Sequence, residues 1–143
     1  MTLSHPLLGQ RQISVALLAA RLLLSLIFVH EGITLSTHFG GAMASFAKLG
    51  IPAPILLLTI ALQLGAGLSV ALGLYARIGA LLLALFCIAT ALLFHTDFSS
   101  QNELLHFEKD LAMAGGLIAI SVCGAGGIAL DTIVRRVRAA CKS

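Results

Sequence analysis

The 143-residue chain is 59% hydrophobic and 10% charged, with a formal charge of +3 and a mean hydropathy of +1.03. A soluble domain is about 45–50% apolar and about 25% charged, an excess of apolar residues that one small core cannot absorb, so a soluble globular enzyme is excluded. Scattered glycine and only three prolines exclude a disordered or collagen-like chain, which leaves a small integral membrane protein.

A bilayer core about 30 Å thick needs about 20 mostly apolar helical residues to cross it. Four stretches meet that length: Ile13 to Leu35, Ala53 to Leu74, Ala76 to Phe94 and Leu111 to Leu130. Lipid-exposed strands or loops would leave backbone groups unpaired at several kcal/mol each, so all four are read as helices. Gly40-Gly41 and the run Gly50-Ile51-Pro52-Ala53-Pro54 break the chain after the first span. Leu74-Tyr75-Ala76-Arg77 forces a tight hairpin between the second and third. The polar segment Thr96 to Asp110 joins the third and fourth, and Gly124 to Gly127 weakens the fourth near its end.

Ala42-Met43-Ala44 resembles a signal-peptide cleavage site, but Arg21 interrupts the apolar run and that run ends near Val29. The first span is therefore expected to stay in the protein. Arg11, Arg77, Arg135, Arg136, Arg138 and Lys142 fall on one side of the spans, against Lys48 and Lys109 on the other. Positive loops stay cytoplasmic. The expected architecture is one domain over residues 1–143, an antiparallel bundle of four transmembrane helices with both termini inside and a basic tail over 131–143. The positive charge is thus a topology signal, and Arg135-Arg136-Val137-Arg138 reads as a juxtamembrane anchor on anionic lipid rather than a nucleic-acid footprint. Cys87, Cys123 and Cys141 form no C-x-x-C pair, so a disulfide framework is not indicated.

Small residues at every fourth position let membrane helices approach closely. Span two carries Ala61, Gly65, Ser69 and Gly73; span three Ala76, Ala80 and Ala84; span four Gly115, Ala119, Cys123 and Gly127. A stripe left over after intramolecular packing would suit a homodimer or a partner helix.

An ionisable residue inside the bilayer costs at least about 2.5–3.5 kcal/mol, so each one asks for a role. Arg21 and Gln63 fall at similar depth on antiparallel spans, and a hydrogen bond from the guanidinium to the Gln63 carbonyl is expected, with snorkelling to the headgroups as the alternative. His30 and Glu31, His95 and Asp97, and His106, Glu108, Lys109 and Asp110 gather near the outer ends of spans one, three and four. Asp110 is placed in the first turn of its helix, at the positive end of the dipole. Such a bowl suits a metal (weak candidates His30, Glu31, His95 and His106), the polar head of a quinone or another redox carrier, or a proton path; headgroup-wetted interfacial residues are the bland alternative.

Arg21-Leu22-Leu23-Leu24-Ser25-Leu26-Ile27-Phe28 before Gly32, Leu49 to Pro54, Gln63-Leu64-Gly65-Ala66-Gly67, Leu72 to Arg77, Phe94-His95, Phe107 to Ala112 and Gly115-Gly116 through Asp131 together resemble the DoxX-like family of small bacterial membrane proteins. The resemblance implies a four-helix inner-membrane protein linked to thiosulfate- or quinol-oxidising complexes and to assemblies with a sulfurtransferase and a superoxide dismutase. Two departures matter: many relatives have Glu where this chain has Gln63, which cannot release a proton, and Asn where it has Asp110.

The expected function is an accessory subunit of a membrane redox system. It would bind a small carrier or a partner oxidoreductase through Arg21, Gln63, His30, Glu31, His95, His106, Lys109 and Asp110. A small transporter component and a ligand-free structural protein are the alternatives. Expected partners are the lipid bilayer and an oxidoreductase or a second copy, with no nucleic acid. A stand-alone enzyme is not expected, since no phosphate loop, nucleophile–base pair or metal-ligand spacing is legible.

Overall fold

The structure is a computed structural model that describes residues 9–96 and 98–140. The six helices are α1 (Gln10–Thr37), α2 (Phe39–Lys48), α3 (Ala53–Leu72), α4 (Ala76–Phe94), α5 (Gln101–Cys123) and α6 (Leu130–Ala140), with no strand among the described residues. Three of them, α1, α3 and α4, are long and apolar enough to cross a membrane. Glu103, Glu108, Lys109 and Asp110 crowd the first half of α5 and set it apart from those three.

Helix α5 begins ten residues before the expected span and ends seven before it, so Asp110 lies in its third turn rather than its first. The dipole argument for Asp110 therefore fails, and Glu103 is the acidic residue in the opening turn. Gly40 and Gly41, read as a break, lie inside the short helix α2. Asp97 and Lys142, with Cys141, lie outside the described residues, as do the side chains of Arg135, Arg136 and Arg138.

The four long helices pack in a ring: α1 on α3, α3 on α4, α4 on α5, and α5 back on α1. Each turns one narrow stripe inward: Arg21, Ser25, Phe28 and Gly32 on α1; Gln63, Ala66, Gly67 and Val70 on α3; Ala80, Leu83, Ala84 and Cys87 on α4; Asp110, Ala114, Leu117 and Ile120 on α5. Their outer faces carry exposed Leu23, Leu26, Leu58, Leu93 and Val122. In water such faces would aggregate; in hydrocarbon they are solvated.

Close approach comes from glycine. A methyl on Gly32 would sit 2.8 Å from Leu64 of α3, and one on Gly79 would sit 2.9 Å from the Ser69 hydroxyl. The expected small-residue stripes divide on this point. Ala76, Ala80 and Ala84 are buried, whereas Ala61, Gly65, Gly115, Ala119 and Cys123 face outward. Flanking large residues decide it: burying Leu83, Leu117 and Val70 fixes which stripe each helix turns inward.

One end of the ring is closed by a clasp. Helix α3 stops at Gly73, which takes a left-handed conformation (φ 71°) while the Gly73 and Leu74 amides donate to the Val70 and Ser69 carbonyls. Arg21 reaches this stop and donates from Nη2 to the Ile128 carbonyl at 2.7 Å. The Asp131 amide donates to the Gly73 carbonyl at 3.2 Å, and Asp131 Oδ2 accepts from the Tyr75 amide at 2.9 Å. The Gly127 amide completes the closure by donating to Ser14 Oγ of α1.

A methyl on Gly73 would fall 2.0 Å from Arg21 Nη1 and 2.7 Å from the Ala129 side chain. Combining left-handed strain with overpacking, Gly73→Ala is expected to destabilise the protein by about 2–5 kcal/mol. Gly65→Ala, with nothing within 4 Å of its added methyl, should stay within about 0.5 kcal/mol of the parent. Thermal unfolding of both variants in detergent checks the contrast.

Candidate functional site

At the opposite end of the ring a cavity of about 180 Å³ opens among α1, α3, α4 and α5. Glu31, Gln63, His95, Lys109 and Asp110, all read from the sequence as binding candidates, line it together with Thr90 and Cys87. Ile27, Phe28, Phe86 and Met113 make its apolar wall.

Asp110 is 8% exposed. The Thr90 hydroxyl lies 2.9 Å from Asp110 Oδ2 and also near the Phe86 and Cys87 carbonyls. It has one proton to give, and a carboxylate is the strongest of those acceptors. Gln63 is 7% exposed, and its Oε1 has no partner among the described residues. A buried amide left unpaired costs about 1–3 kcal/mol; Arg21 Nε and Nη1, at the closed end, are in the same state.

The rim is built by α5 and the end of α4. His95 Nδ1 pairs with Glu103 Oε2 at 2.7 Å, and the His95 and His106 rings stack with centroids 5.1 Å apart. Lys109 Nζ lies 3.2 Å from His106 Nδ1. His30 stands apart from the cavity; its side chain is 71% exposed and only approaches Glu31, at 3.7 Å. Among the described residues no three His, Cys, Asp or Glu side chains gather as a ligand set. The four weak metal candidates are split, with His30 on the outside and the two other imidazoles stacked on each other.

The expected Arg21–Gln63 hydrogen bond is absent, since Gln63 Oε1 accepts from nothing and Arg21 is held in the clasp. The reason is register. Gly32 of α1 packs against Leu64 of α3, and Phe28 against Gly67, so on these antiparallel helices Arg21 falls beside Gly73, ten residues beyond Gln63 and about 15 Å along the axis. Snorkelling fails as well: Arg21 is 1% exposed and ends on backbone rather than at a headgroup.

Comparison with known proteins bears on what this cavity belongs to. The DoxX family pattern matches residues 16–96, more than half of the chain. The chain belongs to the DoxX family. Inner membrane protein YqjF of Escherichia coli K12 is 32% identical over 122 residues, which are 85% of this chain and 94% of that one. Inner membrane protein YphA of the same organism is 28% identical over 124 residues, 82% of this chain and 89% of its own. No solved structure matches the chain.

The DoxX match covers α3, α4 and most of α1, and so includes Glu31, Gln63, Thr90 and His95; α5, with Lys109 and Asp110, lies beyond it. Sequence reasoning missed Thr90, Cys87 and Glu103. A hydroxyl five residues before His95, one helical turn and a half below the rim, was the available signal for Thr90; Glu103 sits three residues before His106 on the same helix.

The Thr90–Asp110 bond is open to a direct test. Thr90→Val removes the donor at nearly constant volume and is expected to destabilise the protein by about 1–3 kcal/mol. Combined with Asp110→Asn in a double-mutant cycle, the two positions should couple by about 1 kcal/mol or more; purely additive thermal shifts would mean the bond contributes nothing.

Proposed function

We propose that this DoxX-family membrane protein is an accessory subunit of a membrane redox system and holds the polar head of a small carrier in the cavity between Gln63 and Asp110. The observation that carries the reading is Gln63, an amide buried in an apolar bundle, lining a cavity and lacking a partner for Oε1. Glu31, Lys109 and the His95–Glu103 pair supply charge at the entrance. Arg21, expected at first as a ligand residue, serves the clasp instead. The closed end also favours a binding site over a conduit: Val70, Leu83, Leu117 and Ile120 fill the core and are all but inaccessible.

In this reading α5 is the fourth span. Its second half presents Leu111, Ile118 and Val122 outward, as a helix facing hydrocarbon would, and its 23 residues reach about 34 Å. The chain then forms a single transmembrane domain in the inner membrane, where its relatives are named. Arg11 and Arg77 at the clasp end, with the basic tail, put both termini in the cytoplasm and open the cavity to the periplasm. The partner is an oxidoreductase or a second copy of this chain.

Native mass spectrometry of the protein released from membrane tests the function. A bound carrier and a defined partner or dimer mass are expected, with the carrier lost in Gln63→Leu. Spectra showing lipid and single chains only, together with unchanged quinol or thiosulfate oxidation in a deletion strain, would overturn it. For the topology, alkaline phosphatase inserted after Ser100 should be active and the same enzyme fused after Ser143 inactive; the reverse pattern would invert the proposed orientation.

A further inference from the structure

The rim of the cavity is a chain of side chains joined end to end. Glu103, His106 and Lys109 follow one another at intervals of three on α5, so each is the next one's neighbour on the helix surface. His95, at the end of α4, meets them there: its Nδ1 lies 2.7 Å from Glu103 Oε2, and its ring stacks on His106 with centroids 5.1 Å apart. Lys109 Nζ lies 3.2 Å from His106 Nδ1. The same lysine is part of the cavity lining.

Lys109 fixes the roles in that last contact. An ammonium offers donors and no acceptor, so His106 Nδ1 must present a lone pair and carry no proton. The ring is then neutral, with its proton on Nε2. A second proton would go to Nδ1, the atom that now accepts. It would remove the acceptor and set an imidazolium and an ammonium 3.2 Å apart. Imidazole is the side chain whose ordinary charge change falls between about pH 5 and 8.

The surroundings give a displaced Lys109 somewhere to go. Among the described residues, the titratable groups around this point are His95 and Cys87 of α4, Glu31 of α1, and Glu103 and Asp110 of α5 itself; Glu108 is exposed. Glu103 is engaged with His95. Glu31, Asp110 and Gln63 share the cavity lining with Lys109, and a carboxyl or amide oxygen accepts in either protonation state of the carboxyl. The space is only about 180 Å³, so the flexible stem of an inward lysine would occupy much of it.

We infer that His106 is a positioning residue for Lys109 and makes entry to the cavity depend on protons. Neutral His106 holds the ammonium at the rim and the mouth open; protonated His106 releases it inward and closes the mouth. The inference stands on the rim alone and holds whether the cavity takes a redox carrier or another small molecule.

The test uses the full-length protein in lipid nanodiscs with isotope-labelled nitrogen in its histidine rings, His106→Gln identifying the His106 signals. By magnetic resonance, His106 Nδ1 should be bare at about pH 8 and protonated at about pH 5. Entry is read as the rate at which a small uncharged thiol reagent modifies Met113→Cys, on the cavity wall. Each rate is divided by that of the same substitution combined with His106→Gln at the same pH, which cancels the thiol's own response to acid; glutamine still accepts from Lys109 but takes up no proton. The ratio should fall about fivefold or more between about pH 8 and about pH 5. Adding Lys109→Ala to both proteins should abolish the fall.

A His106 Nδ1 already protonated at about pH 8, or still bare at about pH 5, would overturn the switch without any use of the thiol variants. A ratio that stays level or rises in acid, or a fall that survives Lys109→Ala, would overturn Lys109 as the moving part.

Discussion

Arg21 is a full charge at 1% exposure in a bundle whose outer surface is hydrocarbon-like, and the shape of the molecule follows from how that charge is held. Among the described residues it has no carboxylate partner. Its Nη2 donates to the Ile128 carbonyl, and the guanidinium lies against Gly73 at the end of α3, where the helix carries roughly half a negative charge. Arg77 covers the end of α5 in a similar way, its Nε 3.0 Å from where a Gly124 side chain would begin. Both cations need glycine to come so close to backbone, and Arg21 is held by one bond alone, since its Nε and Nη1 are buried with no partner among the described residues. That arrangement draws the segment after α5 back over the ring and leaves one end of it without an opening.

Closure at one end leaves the polar cavity at the other. Gln63 and Asp110 are spaced along α3 and α5 so that they lean into the same space, and Thr90 of α4 ties down one carboxylate oxygen. Gln63 Oε1, by contrast, finds no partner among the described residues. A bundle that needed only stability would do better with apolar residues there, because a partly satisfied polar network in low dielectric is worse than none. The DoxX-family relationship makes the chain a membrane protein, and the proposed binding falls to the cavity residues.

Much of the fold was legible in the sequence because hydrocarbon imposes simple rules. Length and apolarity located the helices that became α1, α3 and α4, and Leu74 to Arg77 left room only for a hairpin. Less was legible where polar and apolar residues share one helix. The polar segment Thr96 to Asp110 read as a connection with Asp110 in the first turn of the next helix, yet from Gln101 onward it belongs to α5, where Glu103 pairs with His95, His95 stacks on His106 and Lys109 reaches His106. The glycines of α2 read as a break, since backbone propensity says nothing about a helix that lies packed on α1 and α3.

Within the candidate site the sequence identified Glu31, Gln63, His95, Lys109 and Asp110 by a single criterion, that polar groups in an apolar chain need a reason. It could not sort them, and it paired Arg21 with the wrong partner. Counting residues from the span ends places Arg21 and Gln63 level, whereas the packed register, with Gly32 against Leu64 and Phe28 against Gly67, sets Arg21 beside Gly73, at the end of α3 away from the cavity. The sequence by itself determined that this is a helical membrane protein and that its few polar residues matter. Only the tertiary structure decided which of them lie at the closed end and which line the cavity, because that depends on the register in which the helices pack and on which stripe large residues turn inward.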